Sequence, residues 1–317
     1  MSRASYVLPI RASDARHAGE LREYFLSLRE VDIIVVDASA RDVFAAHEAE
    51  WRGAVALHVP PEPLIRGSNG KARGVLSGLK LARHDRVVIA DDDVRYSEAT
   101  LARVIEALDC ADVVRPQNYF APVPWHALLD TARTLINRVT GGDWPGTLAV
   151  RRSKLPDGYN PNVLFENLEL VRTVRANGGR EVRLDDCYVE RRPPTTAHYW
   201  SQRIRQAYDE FARPSRLLAQ LAILPLLFLC IAFRRPDAIA LGSLIAMLMA
   251  EVGRRAHGGR RYFSVLSSLC APLWLLERGC CSWAALYARA CRGGMWYAGS
   301  LIREAASMPS KLAQQGT

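Results

Sequence analysis

Short apolar runs alternate with longer amphipathic stretches through the first two thirds of the chain. Runs with the length of a buried strand occupy residues 7–10, 31–37, 54–59, 87–90, 112–115 and 147–150. Between the first two runs, Leu21, Phe25 and Leu28 recur at helical spacing. Strands that alternate with amphipathic helices are typical of a mostly parallel sheet. The pattern therefore predicts an α/β domain over residues 1–212.

Carboxylates follow two of the predicted strands. Residues 31–37 end in Asp37, and residues 87–90 run directly into Asp91, Asp92 and Asp93. In an open α/β sheet the carboxyl ends of the strands meet at the edge where ligands bind. Crowded carboxylates repel one another unless a cation lies between them, and oxygen ligands suit Mg2+ or Mn2+, which can bridge to nucleotide phosphates. An acidic turn after a strand is the alternative, and three aspartates alone leave both interpretations open.

Charged residues at two predicted helix starts add candidate chemistry. Lys71 and Arg73 fall in the first turns of a helix that begins near Ser68, where backbone N–H groups and positive charge suit a phosphate. Glu166 opens another helix, whose dipole favours the ionised carboxylate. The glycine-rich loop at residues 141–146 lets backbone approach a ligand, although it lacks the ending of a P-loop. Each of these charges can equally be an ordinary helix-end residue.

The composition changes near residue 213. Residues 217–233 carry no charge, and residues 236–252 carry charges only near their ends. Each run is at the short limit for crossing a bilayer, about 17 to 25 residues, so we predict a helical hairpin in a membrane, with buried core helices as the alternative. Residues 262–276 suit an interfacial helix, and the polar tail after Arg303 is expected to be loose.

The net charge of +9 lies entirely in residues 213–317. A basic excess beside apolar runs indicates an anionic membrane face and no nucleic-acid partner. The cysteines form no CxxC pair, so neither zinc nor a redox motif is indicated. Since no hydrophobic segment precedes Tyr6, we expect the α/β domain to be cytoplasmic and held at the cell membrane by the hairpin or by several spans. The predicted domains are residues 1–212, membrane-associated helices at 213–292, and a basic and polar tail at 293–317.

Several motifs occur in a characteristic order before the predicted hairpin. They are VLPI, VVDAS, NGKARG, IADDD, FENLEL and QRIRQ, and Gly293–Tyr297 follows as a GG-x-x-Y segment. With this order the chain resembles a membrane-attached family 2 glycosyltransferase. The resemblance implies a GT-A type, Rossmann-like domain that transfers a sugar, with inversion, from a nucleotide-diphosphate donor to an acceptor hydroxyl.

The resemblance also implies roles for individual residues. The implied donor-binding residues are Pro9, Asp37, Lys71, Asp91, Asp92, Gln202, Arg203 and Arg205. Asp91 and Asp93 match the ends of the DxD motif, and they imply a Mg2+ or Mn2+ cofactor.

The chain departs from the family at the catalytic base. The family's ED pair is here Glu166–Asn167, and an amide has no useful basicity. We therefore predict Glu166 as the base. Glu169 is the alternative, although Arg172 three residues later predicts a surface ion pair for it.

A second departure concerns the acceptor. Gln206 replaces the tryptophan of the family's QxxRW motif, which argues against processive polymer synthesis. The expected acceptor is a lipid or lipid-linked glycan at the membrane. A polyprenyl-phosphate glycosyltransferase and an inactive membrane scaffold of the same fold are alternatives. A nucleotidyltransferase is disfavoured because its glycine-rich opening is absent around Val7 to Ser13.

Overall fold

The computed structural model describes residues 3–315, which form two compact units. The first, here called the α/β unit, comprises the chain up to residue 118, residues 144–191 and the segment from residue 307. The second, the helical unit, comprises residues 119–143 and 192–306. This division differs from the predicted boundary at residue 212, because two helices that precede it belong to the helical unit.

The strands and helices follow the predicted alternation. The strands are β1 Ala4–Ile10, β2 Val31–Asp37, β3 Leu57–Val59, β4 Arg86–Ala90, β5 Val94–Arg95, β6 Val113–Phe120, β7 Thr147–Arg151, β8 Glu181–Arg191, β9 Met295–Tyr297 and β10 Ser300–Ile302. The helices are α1 Ala18–Ser27, α2 Arg41–Trp51, α3 Gly70–Leu81, α4 Glu98–Ala107, α5 Trp125–Val139, α6 Glu166–Ala176, α7 Thr196–Tyr208, α8 Pro214–Ala232, α9 Pro236–Arg255, α10 Val265–Leu269, α11 Ala271–Arg292 and α12 Pro309–Gln315.

A single sheet organises the α/β unit. Within residues 3–315 it contains eight strands in the order β3-β2-β1-β4-β7-β6-β8-β5. The strands β3, β2, β1 and β4 run parallel, whereas β7 pairs antiparallel with both β4 and β6. The carboxyl ends of β2 and β4 therefore lie at one edge, which carries Asp37 and the aspartates that follow β4. The predicted α/β sheet flanked by helices is confirmed.

Both faces of this sheet are buried in apolar cores. On one face, Leu8 and Val35 pack in a cluster with Phe25 and Trp51 from α1 and α2. On the other face, Val7 packs in a cluster with side chains of α3 and α6. Successive residues of a strand point to opposite faces, so a strand buried on both sides has apolar residues at every position. This is why β2 and β4 were evident in the sequence.

Two parts of the α/β unit differ from the sequence prediction. The strand β8 was missed because charged residues occupy much of Glu181–Arg191. The tail expected to be loose is ordered through residue 315 and contains α12. The backbone N–H of Ser307 donates to Glu169 Oε2 at 2.6 Å, and its carbonyl accepts from Arg172 at 2.7 Å.

The helical unit is built from α5 and α7–α11. Close backbone approach joins α5 to α9, since a Cβ at Gly253 would lie 2.0 Å from the carbonyl oxygen of Leu135. Arg138 of α5 donates to the carbonyls of Gly253 and Ala256, which fixes the carboxyl end of α9. The segment predicted as one interfacial helix at residues 262–276 instead divides into α10 and α11.

Two helices of this unit are long and apolar enough to cross a membrane. They are α8, and α9 together with the turn that follows it to Arg261. Only 11% of the α8 segment and 17% of the α9 segment are buried within the protein. The structure therefore contains the predicted helical hairpin, with most of its apolar surface uncovered.

The contact between α3 and β1 gives a stability prediction. A Cβ at Gly78 would lie 2.3 Å from Val7 Cγ1, and Val7 is a stiff, β-branched residue in the middle of a strand. We expect Gly78→Ala to lower the free energy of unfolding by about 1–3 kcal/mol, measured by urea denaturation of the full chain in detergent. Gly70→Ala in the same helix is the control, because its Cβ would have no atom within 4 Å. Equal stability of the two variants would contradict the close packing.

Candidate functional site

Lys71 connects two carboxylates that are far apart in the sequence. Its Nζ lies 2.6 Å from Asp91 Oδ1 and 2.6 Å from Glu166 Oε1. The helix cap fixes this position, because the side-chain oxygen of Asn69 accepts from the backbone N–H groups of Lys71 and Ala72. Residues predicted separately from the end of β4, the start of α3 and the start of α6 therefore form one site.

The three charges of this cluster depend on one another. Burial opposes the charge of Lys71, but Asp91 and Glu166 outweigh it and raise the pKa of the ammonium. Glu166 exposes only 5% of its surface, so its carboxylate has little access to water. The ammonium thus supplies positive charge where carboxylates would otherwise repel one another.

Arg191 supplies the second cation of the site. It ends β8 and its Nε donates to Asp93 Oδ2 at 2.8 Å, while its Nη2 lies 3.5 Å from Asp91 Oδ2. Asp93 Oδ1 is buried and has no hydrogen-bond partner among residues 3–315. Burial raises the pKa of Asp93 to about 6, and burial with the nearby Asp91 charge also raises the pKa of Asp92. At Asp92 and Asp93 the nearby positive charge therefore does not offset the cost of burial.

The last residue of the glycine-rich loop, Gly146, contacts the first of these aspartates. The N–H of Asp91 donates to the Gly146 carbonyl at 2.9 Å, and the N–H of Gly146 donates to Asn118 Oδ1 at 2.7 Å. A Cβ at Gly146 would lie 2.8 Å from Asp91 Oδ2 and 3.1 Å from Arg191 Cζ. Only glycine fits here without displacing the carboxylate.

The site fits the predicted Mg2+ or Mn2+. Asp91 and Asp93 present hard oxygen ligands from one short turn, and the buried Asp93 Oδ1 lacks a protein donor. Such a donor set suits a small divalent cation better than a soft metal.

The two candidate bases differ in their surroundings. Glu166 begins α6 and contacts Lys71, whereas Glu169 is fully buried and accepts the N–H of Ser307. The prediction that Glu169 lies at the surface is therefore wrong. Asn167 Nδ2 donates to the Pro145 carbonyl at 3.2 Å, a contact that the carboxylate of an ED pair cannot make.

Asp37 is fully enclosed at the end of β2. Its Oδ1 accepts the N–H of Ser39 at 2.8 Å, and its Oδ2 lies 2.7 Å from His47 Nδ1 and 3.1 Å from His58 Nε2. Burial opposes the carboxylate charge, but hydrogen bonds from His58, Ser39 and His47 lower the pKa of Asp37 to about 2. The Asp37, His47 and His58 ligand atoms lie within 4.8 Å of one another, as metal ligands do, although hydrogen bonds already account for this arrangement. A nucleoside can reach the carboxylate only if one of these partners moves.

The remaining predicted donor residues are Pro9 in β1 and Gln202, Arg203 and Arg205 in α7. Pro9 lies in β1 and packs against α3. A Cβ added at Gly74 of α3 would lie 2.9 Å from the Cβ of Pro9. Gln202 and Arg205 belong to the helical unit, in which Arg205 donates to Gln202 Oε1. Arg203 also belongs to that unit and is buried in ion pairs. Donor binding by these residues stays a prediction.

The sequence did not single out Arg191, His47 or His58. Arg191 lies in β8, which was not predicted as a strand because many of its residues are charged. The two histidines do not belong to any motif recognised in the sequence. The pairing of β2 with β3 places His58 opposite Val35, on the face that carries Asp37. This pairing was the signal that could have found the Asp37 cluster.

Neither a protein-family model nor a curated protein matches the sequence significantly. Among solved structures, the chain is similar to the mannosyltransferase PcManGT from Pyrobaculum calidifontis in complex with GDP-Man and Mn2+, with 20% identity, coverage of 85% of this chain and 86% of that chain, and a TM-score of 0.56. A structure of S. aureus TarS 1–349 in complex with UDP-GlcNAc matches with 16% identity, coverage of 96% and 97%, and a TM-score of 0.44. Mannosyl-3-phosphoglycerate synthase from Rubrobacter xylanophilus matches with 17% identity, coverage of 67% and 73%, and a TM-score of 0.46.

The similarity to the mannosyltransferase spans both chains almost completely and establishes a shared fold. The GT-A type α/β architecture predicted from the sequence is confirmed.

Proposed function

We propose that this chain is a metal-dependent, inverting glycosyltransferase. It moves a sugar from a nucleotide-diphosphate donor to a hydroxyl of a lipid or lipid-linked acceptor at the membrane. The observation that carries the proposal is the Lys71 ammonium, which joins the DxD carboxylate Asp91 to the candidate base Glu166 within 2.6 Å of each. One cation thereby connects the proposed donor end of the site to the acceptor end.

Asp91 and Asp93 are the residues that would hold Mg2+ or Mn2+, in keeping with the Mn2+ in the mannosyltransferase complex. When bound, the divalent ion offsets the negative charge that develops on the departing nucleoside diphosphate. Lys71 and Arg191 already contact these carboxylates and can turn to the phosphate oxygens of the donor. The protein thus brings positive charge to the leaving group from α3 and from β8.

Glu166 performs the proton transfer in this proposal. The acceptor oxygen forms a bond to the anomeric carbon, the bond from that carbon to the diphosphate oxygen breaks, and the acceptor proton passes to Glu166. Attack on the face opposite the leaving group inverts the anomeric centre. The adjacent Lys71 keeps the Glu166 carboxylate ionised and so able to accept the proton.

The helical unit supports a membrane-associated acceptor. The exposed apolar side chains of α8 include Leu226, which is 58% exposed, and Phe228, which is 70% exposed. Residues 213–317 also carry the whole net charge of +9. Apolar helices flanked by basic residues bind an anionic bilayer surface, where an amphiphilic acceptor would lie.

The metal assignment predicts the effect of Asp93→Asn. Removing the charge at constant volume should abolish Mn2+-dependent binding of a nucleotide sugar and leave the fold intact, measured by calorimetry and circular dichroism. The exposed carboxylate of Asp42 in α2 provides the control variant Asp42→Asn, which should bind as the natural chain does. Undiminished Mn2+-dependent binding by Asp93→Asn would refute the assignment.

The choice of base predicts a ranking of two variants. Glu166→Gln should lower turnover by about 10²-fold or more with donor binding nearly unchanged, because only proton transfer is lost. Glu169→Gln retains an acceptor for the Ser307 N–H and should affect turnover mildly. Turnover is measured with a panel of nucleotide sugars and Mn2+ in membranes, by following the lipid-soluble product. The reverse ranking would move the base to Glu169, and donor binding without any turnover would instead indicate an inactive scaffold.

The uncovered hairpin predicts how the full chain behaves in membranes. It should resist extraction by high salt and by alkaline carbonate and should require detergent, because α8 and α9 remain in the hydrocarbon. Replacing Leu226 and Phe228 together with glutamate should shift the protein into the carbonate-soluble fraction. Complete release of the natural chain by carbonate would show that the hairpin does not span.

A further inference from the structure

Two hydrogen bonds join the start of α6 to the turn that follows β4. They meet at the end of the glycine-rich loop, so the parts involved are the bridging segment, Trp144–Gly146, and the aspartate turn, Asp91–Asp93. The Gly146 carbonyl accepts the backbone N–H of Asp91 at 2.9 Å, and the Pro145 carbonyl accepts the side-chain amide of Asn167 at 3.2 Å. Asn167 directly follows the candidate base in the first turn of α6. Two adjacent carbonyl groups therefore link the proposed metal ligands to the helix of the candidate base.

Further contacts fix the backbone of the bridging segment within the α/β unit. The N–H of Gly146 donates to Asn118 Oδ1 at 2.7 Å, and the side-chain amide of Asn118 donates to the carbonyl of Val189 in β8 at 3.1 Å. At the other end of the segment, the guanidinium carbon of Arg115 lies 3.9 Å from the centre of the Trp144 ring. A backbone held in this way passes a displacement at one residue on to the next, whereas a mobile loop would absorb it.

The aspartate turn has little room to adapt when the bridging segment moves. A Cβ at Gly146 would lie 2.8 Å from Asp91 Oδ2 and 3.1 Å from Arg191 Cζ, so the Gly146 backbone packs against both side chains. Arg191 in turn donates to Asp93 Oδ2 at 2.8 Å. A shift of Gly146 would therefore displace the carboxylates at both ends of the turn. Misplacement of such groups by about 1 Å can lower a rate by about 10²-fold.

The contact between Asn167 and the bridging segment requires an amide side chain. A backbone carbonyl can only accept a hydrogen bond, so the group that faces the Pro145 carbonyl must donate one. The Nδ2 of Asn167 supplies that donor. An ionised carboxylate has the same shape but only acceptor oxygens, and it would repel the carbonyl. An aspartate at residue 167 would therefore push Pro145 away from α6, although its charge and volume suit the start of a helix.

We propose that Asn167 is a positioning residue that sets the aspartate turn relative to Glu166 through the bridging segment. The inference rests on the proposed sugar transfer, in which the metal ligands and the base act on the same substrate. Asn167 acts through the carbonyl of Pro145 and the backbone of Gly146, and it takes no proton itself. Its amide thus has a function of its own in this chain and is not a base lost by substitution.

Hydrogen exchange of the full chain in detergent tests the structural link. Asn167→Asp should speed exchange of the N–H groups of Asp91 and Gly146 by about fivefold, the factor that corresponds to the loss of one ordinary hydrogen bond. Mass spectrometry of peptides that cover these two residues measures the rates. Asn177→Asp is the matched control, because Asn177 lies at the other end of α6 and its amide donates to the Lys154 carbonyl at 3.0 Å. It loses an equivalent bond and should leave both rates unchanged.

Binding of Mn2+ alone, followed by electron paramagnetic resonance of the free ion, tests the consequence for the metal ligands. Asn167→Asp should bind Mn2+ about tenfold more weakly than the natural chain, and Asn177→Asp should bind it equally well. The sign of the change is informative, because an added carboxylate would by its charge alone attract Mn2+ and tighten binding. Asn167→Leu removes the donor without adding a charge. It should show the same weakening, and it provides the same test if Asn167→Asp fails to fold.

Faster exchange and weaker Mn2+ binding in both Asn167 variants, with neither in Asn177→Asp, would support the inference. Unchanged exchange at Asp91 and Gly146 would overturn it, and so would equal losses in the Asn167 and Asn177 variants, which would indicate a general effect on stability. Higher turnover of Asn167→Asp would overturn it as well, because residue 167 would then be the site of a lost base. If the natural chain neither binds Mn2+ nor transfers a sugar, the proposed function fails, whereas the exchange rates still decide whether Asn167 holds the aspartate turn.

Discussion

The arrangement of the candidate site depends on one ammonium group. Lys71 lies 2.6 Å from both Asp91 and Glu166, and its positive charge offsets the repulsion between these two carboxylates. The cap of α3 by Asn69 and the loop that contains Gly146 hold the partners at this distance. A single charge therefore positions the start of α3, the end of β4 and the start of α6 relative to one another.

Much of the α/β unit could be predicted because a strand that is buried on both faces is apolar at every position, and such a run is visible in the sequence. The strands β2 and β4 were evident as apolar runs, and their positions placed Asp37 and Asp91 at one edge of the sheet. The strand β8 has no such apolar run, because it contains charged side chains that form ion pairs, as Arg191 does with Asp93. Pairing between distant segments decides which charges meet, and apolar periodicity carries no information on that pairing.

The helical unit shows the same limit in a different form. Composition identified α8 and α9, but it did not indicate that α5 packs against α9 or that α7 packs against α11. Asp130 of α5 and Arg203 of α7 are buried and lie 3.2 Å apart, and their positions in the sequence do not indicate this pairing. Buried charges that compensate each other resemble surface charges in a sequence, and only the packing distinguishes the two.

The contact of Ser307 with α6 has a consequence for how the protein is made. The helix that begins with Glu166 receives a hydrogen bond at Glu169 from the backbone of residue 307, and Arg172 binds the carbonyl of the same residue. Both bonds form only after the ribosome has synthesised residues 192–306 of the helical unit, which lie between α6 and Ser307 in the chain. A nascent chain halted before residue 307 therefore lacks part of the interactions that hold α6. Such a truncated chain would consequently have an incomplete interior in the α/β unit, even though the sheet and all residues of the candidate site are already present.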